Sequence, residues 1–78
     1  MKCFVIAGQE KVRALQTAGI QGIETDNLSD IRKAVETAVS DRTIGTLLVS
    51  KEVQDKASDI IEKHRKRAVL PVVMLLDD

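Results

Sequence analysis

The sequence predicts an α/β fold: a four-stranded parallel sheet in the order β-α-β-α-β-α-β, with helices on both faces. Short apolar or β-branched segments alternate along the 78 residues with longer segments whose apolar residues follow a helical period. Two of the short segments are apolar almost throughout, which is typical of strands covered on both sides. No flexible linker divides the chain, so we expect a single domain over residues 1–78.

Residues 2–7, KCFVIA, form the first apolar segment and end at Gly8, which predicts a central strand. One face of the following helix is marked at three-residue intervals by Val12, Leu15 and Ala18. We expect Gly19 to end this helix in the left-handed conformation, and Ile20 to fold back onto Leu15 as the apolar contact of that cap.

Residues 21–27 contain a single strongly apolar side chain, Ile23, and so predict a short strand at an edge of the sheet. Asn27 is placed to cap the next helix. The apolar stripe of that helix comprises Leu28, Ile31, Ala34, Val35, Ala38 and Val39. The stripe stops near residues 40–42, where we expect the helix to end.

Residues 43–50, TIGTLLVS, predict a second central strand, and Ser50 is placed to cap one further helix. The buried face of this helix is predicted to hold Val53, Ala57, Ile60, Ile61 and His64. The last strand is predicted over residues 69–76, with Pro71 near its start. We interpret this strand as covered on both sides, because leaving residues 72–76 half exposed would forfeit several kcal/mol.

The composition argues against two classes of partner. Lysine plus arginine equal aspartate plus glutamate at 12 each, and the chain has one Phe and no Trp or Tyr, so nucleic-acid binding is disfavoured. No run reaches the roughly 18 apolar residues that a membrane span needs.

The lone Cys3 lies in an apolar run and is expected to be a buried hydrophobe of a protein in the reducing cytoplasm.

Ligands of such a sheet bind in the loops at the carboxyl ends of its strands. Residues 8–10 contain one glycine, which makes neither a dinucleotide fingerprint nor a phosphate loop. Residues 9–10 and 49–50 supply too few carboxylates for a receiver-type phosphoryl site, and His64 is expected to be a packed or capping residue. We therefore predict no catalytic residue, cofactor or metal. The alternative that stays open is a flavodoxin-like or receiver-like regulatory domain that binds a small ligand or phosphate at residues 8–10 and 50–52.

Four segments, in order, resemble the F subunit of the V-type and A-type rotary ATPases. Residues 2–20 are similar to that family's first strand and helix, and residues 25–39, TDNLSDIRKAVETAV, to its second helix. Residues 44–53, IGTLLVSKEV, resemble its third strand and the turn after it, and residues 70–78, LPVVMLLDD, its last strand. Together these segments cover almost the whole chain.

The resemblance implies a non-catalytic rotor component with four parallel strands, bound on the central stalk to the elongated helical D subunit. In that family ATP is hydrolysed or made on the A and B subunits, and the complex couples this reaction to proton or sodium-ion transport. The implied location is cytoplasmic, peripheral to the membrane. Family members usually continue through a loop and a C-terminal helix, so we expect residues 1–78 to be the globular N-terminal domain without that tail.

The docking residues are predicted from edges and uncovered apolar side chains. One candidate group is Ile20 and Ile23 around the short second strand. The other is Val72, Met74 and Leu76 on the last strand.

Overall fold

The computed structural model describes residues 1–76 and contains all four predicted strands in one sheet. The elements in chain order are β1 (Lys2–Ala7), α1 (Gln9–Thr17), β2 (Gln21–Glu24), α2 (Leu28–Val39), β3 (Ile44–Val49), α3 (Lys51–Lys56), α4 (Ser58–Lys66) and β4 (Val72–Leu75). Residues 77–78, which follow the predicted last strand, lie outside the described residues.

All strand pairs are parallel, and the spatial order is β2-β1-β3-β4. This confirms that β1 and β3 are central and that β2 is an edge strand. Val5, Ile6 and Ala7 of β1 have no exposed surface, as expected for a strand with helices above and below it.

The helices are divided unequally between the two faces of the sheet. The larger core lies under α2, α3 and α4, and its buried residues include Ile6, Ile31, Leu47, Val49 and Ile61. The smaller core lies under α1 and consists of Val5, Ala7 and Val12, with four partly buried neighbours. The predicted three-layer arrangement is therefore confirmed, but a single nine-residue helix forms one of its layers.

The helix termini follow the predicted capping residues. Gly19 adopts φ +86° after α1, and the N–H of Ile20 donates to the carbonyl of Leu15 at 3.0 Å, which forms the expected left-handed cap. The side chain of Asn27 accepts from the N–H of Asp30 at 2.9 Å at the start of α2. Ser50 accepts in the same way from the N–H of the third residue of α3.

The third helix differs from its prediction because it breaks into α3 and α4 at Ala57, which is fully buried at φ −121°, ψ 25°. The break frees the carbonyl of Lys56, which accepts from the Arg32 guanidinium at 3.3 Å. Both terminal nitrogens of Arg32 also donate to Asp59, each at 2.8 Å. One side chain of α2 therefore binds both sides of the break. No glycine or proline marks this position in the sequence.

The interpretation of the last strand as covered on both sides is wrong. β4 is an edge strand of four residues, and Val72 and Met74 are 53% and 52% exposed, whereas Val73 between them is 6% exposed. The apolar run resembled a central strand because both of its faces are apolar. The strand order, which periodicity does not encode, leaves one of these faces without a helix.

Ala68 provides a first test of backbone strain. It adopts φ +51° after α4, the conformation that Gly19 adopts after α1. An alanine in the left-handed conformation costs the folded state about 1–2 kcal/mol. Glycine avoids this strain, but it loses more conformational entropy on folding, so only part of the energy is gained as stability. We expect Ala68→Gly to stabilise the domain by about 0.5–1 kcal/mol and Gly19→Ala to destabilise it by about 1 kcal/mol. Urea unfolding of both variants measures this, and a destabilised Ala68→Gly would contradict it.

Asp59 provides a test by pH. Its bidentate hydrogen bonds to Arg32 lower the pKa of the carboxyl from 3.8 to about 2. Because the folded pKa is the lower one, the pair stabilises the fold above pH 3.8, and this contribution is lost as the pH falls through about 2. We expect Asp59→Asn to lower the unfolding midpoint at neutral pH, and the difference from the unsubstituted protein to shrink across that window.

The matched control is Asp55→Asn, which also removes a carboxylate charge but, among the described residues, removes no hydrogen bond to Arg32. Equal pH dependence for the two variants would show that the Arg32 contact does not cause the effect.

Candidate partner-binding face

One half of the sheet surface that carries α1 has no helix over it. Side chains alternate along each strand, and Cys3, Thr46 and Val72 are neighbours across β1, β3 and β4 in the observed register. Two positions further along, Leu48 is the neighbour of Met74. We call this surface the open face; its residues are Cys3, Thr46, Leu48, Val72, Met74 and Leu76.

The open face is an outward continuation of the smaller core. Leu48 and Leu76 pack against the cluster of Val5, Ala7 and Val12 beneath α1 and are partly buried. Towards the edge of the sheet, Val72 and Met74 lose that cover and are about half exposed. None of the six residues of the open face is charged. Covering the two outer side chains would stabilise a complex by roughly 1 kcal/mol each.

The main-chain edge of β4 is less available than its face. The N–H of Leu76 donates to the carbonyl of Val49 on β3 at 2.8 Å, so the main-chain groups of Leu76 and of every second residue before it face β3. The carbonyls of the residues between them, which include Pro71 and Val73, therefore point away from the sheet. His64 Nε2 lies 2.7 Å from the Pro71 carbonyl, and an Arg65 nitrogen lies 3.2 Å from the Val73 carbonyl. Because a carbonyl only accepts, His64 donates from Nε2. The last turn of α4 therefore occupies two outer acceptors of the edge.

These contacts confirm the expected role of His64. The side chain is 5% exposed on the apolar face of α4, and its ring is held by the Pro71 carbonyl. It is a packed, hydrogen-bonded residue.

The five predicted docking residues divide into separate groups. Val72, Met74 and Leu76 share the open face, as their alternate spacing requires. Ile20 is partly buried against the cluster under α1, while Ile23, 39% exposed, points to the opposite face of the sheet.

Three residues of the open face were not predicted from the sequence. Cys3, Thr46 and Leu48 lie on central strands and are partly exposed, because no helix covers this half of the face. Cys3 was expected to be buried, and its partial exposure corrects that expectation. No local signal identifies these positions, since their exposure depends on which strands are neighbours.

A cleft of about 400 Å³ lies at the carboxyl ends of β1 and β3, where the alternative interpretation expects a small ligand. Its charged side chains are Glu10, Lys11, Lys51 and Glu52, two of each sign. Glu52 pairs with Lys56 at 2.9 Å, and the hydroxyl of Ser50 caps α3. Among residues 1–76 no cluster of three or more metal-ligating side chains is present. The cleft lies where the alternative interpretation places it, and two of its polar side chains, Ser50 and Glu52, form hydrogen bonds within the protein.

Within the part of the chain that the structure describes, no helix is long and apolar enough to cross a membrane.

Comparisons with known proteins agree with the fold. The sequence model of the ATP synthase (F/14-kDa) subunit family matches residues 3–78. Among solved structures, the chain is similar to the F subunit of the V-type ATP synthase from Archaeoglobus fulgidus, with a TM-score of 0.84 and 19% sequence identity. The alignment covers 97% of this chain and 96% of that chain. Curated protein sequences give no match. The structural likeness confirms the predicted four-stranded α/β fold.

Arg65 provides a test of the protected edge. Arg65→Ala frees the outward carbonyl of Val73, and an uncovered edge acceptor favours pairing with another chain. We expect this variant to self-associate more than the unsubstituted protein in concentration-dependent light scattering. Lys66→Ala is the matched control, because it removes the same charge from the same turn and, within residues 1–76, breaks no hydrogen bond to β4. Equal behaviour of the two variants would contradict a protective role for Arg65.

Proposed function

The chain belongs to the ATP synthase (F/14-kDa) subunit family, and we propose that it is the non-catalytic central-stalk subunit of a V-type or A-type ATP synthase/ATPase. In this role it turns with the rotor. It helps to couple ATP hydrolysis or synthesis on the catalytic A and B subunits to proton or sodium-ion transport through the membrane ring. The protein is peripheral to the membrane on its cytoplasmic side.

The open face is the observation that supports a docking role. Apart from Thr46 its residues are apolar, none is charged, it is continuous with the smaller core, and its outer residues, Val72 and Met74, are half exposed. Contiguous apolar surface of this kind marks interaction sites in soluble proteins. The proposed occupant is the elongated helical D subunit of the central stalk.

The dimensions of the open face suit a helix. Neighbouring strands lie about 4.8 Å apart, so the uncovered strip over β3 and β4 is close to the width of one helix, about 10 Å. α1 already covers β1 and β2 on the same side. A helix of the partner placed beside α1 would complete the outer layer of the sandwich and bury Leu48, Val72 and Met74.

The positions of the potentially reactive side chains support a non-catalytic role. His64 is buried and hydrogen-bonded to a main-chain carbonyl, and it lies on α4 near the amino end of β4. Ser50 lies at the opposite, carboxyl end of β3, where its hydroxyl caps α3. The two groups are therefore separated by the length of the sheet and cannot form a nucleophile and base pair.

Charge substitution on the open face tests the docking proposal. Met74→Asp places a carboxylate where the partner covers apolar surface, and we expect affinity for the cognate D subunit to fall by about 100-fold or more. Leu28→Asp is the matched control, because Leu28 is 51% exposed, against 52% for Met74, and begins α2 away from the open face. Affinity is measured by calorimetry, and circular dichroism verifies that both variants are folded.

Cys3 gives a second readout, since it is the only cysteine of the chain and lies on the open face. The D subunit should slow its alkylation by iodoacetamide, as followed by mass spectrometry. Equal affinity of Met74→Asp and the unsubstituted chain, with unprotected Cys3, would remove the open face as the docking surface. If neither the unsubstituted chain nor the Met74→Asp variant binds the D subunit, the proposed role in the rotor itself is contradicted.

The ligand-binding alternative has its own test at the cleft of Gly8–Lys11 and Ser50–Glu52. A phosphodonor such as acetyl phosphate, and ATP, are titrated into the isolated chain by calorimetry. The rotor proposal expects no saturable binding of either compound. Saturable binding that also raises the melting temperature, and that Lys51→Glu abolishes, would favour a regulatory domain instead.

A further inference from the structure

A second groove lies at the opposite end of the sheet from the cleft, between the loop that follows α2 and the loop that joins α4 to β4. Its volume is about 510 Å³. We call it the basal groove and define it by Met1, Arg42, Arg67, Val69 and Leu70, which line it together with the end of α2. It shares no residue with the open face.

Cationic side chains outnumber carboxylates in the basal groove, where Asp41 is the one acidic residue among the described lining residues. Arg42 and Arg67 are exposed, and within residues 1–76 neither forms an ion pair. Asp41, the carboxylate in the groove, accepts from the N–H of Thr43 at 2.8 Å and from its hydroxyl at 2.7 Å. These hydrogen bonds hold the pKa of Asp41 below its ordinary value and fix it within its own turn.

The positive surface continues along the adjoining groove between α2 and α4. That groove is also lined by Arg67, and it adds Lys63, which has no ion pair among the described residues. The Asp59 carboxylate in it is held by both terminal nitrogens of Arg32. Glu36 also lines this groove, so the three cations Arg42, Lys63 and Arg67 face two remaining carboxylates, Glu36 and Asp41, and the two grooves together carry an excess of positive charge.

The dipole of α4 accounts for only part of this excess of positive charge. Basic residues in the last turn of a helix interact favourably with its negative end, which explains Lys63. Arg42 follows α2 beyond its C-cap, in the loop before β3, and α2 itself has no basic residue in its last turn. The fold of the chain nevertheless brings Arg42 into the same groove as Arg67.

Apolar side chains lie beside these arginines. Met1 is 83% exposed, and Val69 and Leu70 are 50% and 48% exposed, although all three line the groove. The combination of exposed apolar side chains with unpaired guanidinium groups matches a chain segment that carries both apolar and carboxylate side chains.

We propose that the basal groove binds an acidic segment of a protein partner, in which apolar residues alternate with groups of carboxylates. Arg42 and Arg67 bind the carboxylates, and Val69, Leu70 and Met1 contact the apolar side chains. This inference rests on the charges and exposures of this chain and is independent of the proposed function, because it concerns a different surface.

The test uses a fluorescent eight-residue peptide in which glutamates flank two leucines, and a matched peptide with glutamine in place of glutamate. Anisotropy titrations with the full chain are expected to show saturable binding of the glutamate peptide, at least about tenfold tighter than the glutamine peptide. The double variant Arg42→Glu, Arg67→Glu is expected to weaken binding by about tenfold or more, and Leu70→Ser by several-fold.

The control is Lys51→Glu, which reverses another exposed cation, at the other end of the sheet, and should change binding less than twofold. Binding that does not distinguish the two peptides, or that Lys51→Glu weakens as much as the double variant, would overturn the proposal. In the last part of the experiment, binding of the full chain to vesicles of phosphatidylserine and phosphatidylcholine is measured. Binding to these vesicles through Arg42 and Arg67, without binding to the peptide, would overturn the choice of a protein segment.

Discussion

The right-handedness of the strand-helix-strand connections determines most features of this domain. From β1 the chain moves to β2 on one side, then returns past β1 to β3 and continues to β4. When every crossover is right-handed, a reversal of direction places the next helix on the opposite face. α1 therefore lies alone on one face, and α2, α3 and α4 share the other. The open face is a direct result of this order, because one helix is too narrow to cover four strands.

The better-covered face holds most of the structure together. Its core joins residues from all three of its helices to β1, β3 and β4, and Arg32 ties α2 to both sides of the break at Ala57. A chain of this size removes only about 60% of its unfolded surface from water, so each large buried side chain is a substantial part of the net stability. The face under α2, α3 and α4 therefore contributes most of the buried core, whereas the open face leaves apolar side chains exposed to the proposed partner.

Local patterns predicted the features that depend on neighbouring residues. The capping roles of Asn27, Ser50 and Gly19, the short β2 and the packed His64 all follow from side chains within a few positions of one another. The features that were not predicted depend on distant residues. The break at Ala57 is bound on both sides by Arg32 of another helix, and the exposure of Val72 depends on strand order. The open face itself could be anticipated only in part, through the alternate spacing of Val72, Met74 and Leu76, because Cys3 and Leu48 join it through lateral pairing.

The protected edge of β4 has a consequence for how long a complex lasts. If a partner added a strand to this sheet, its release would require a row of main-chain hydrogen bonds to break together, and the two chains would separate slowly. With His64 and Arg65 on the outer carbonyls, contact through the open face relies on side chains alone. In the proposed complex, separation would then break no main-chain hydrogen bond of the sheet, and the domain would remain folded when it dissociates.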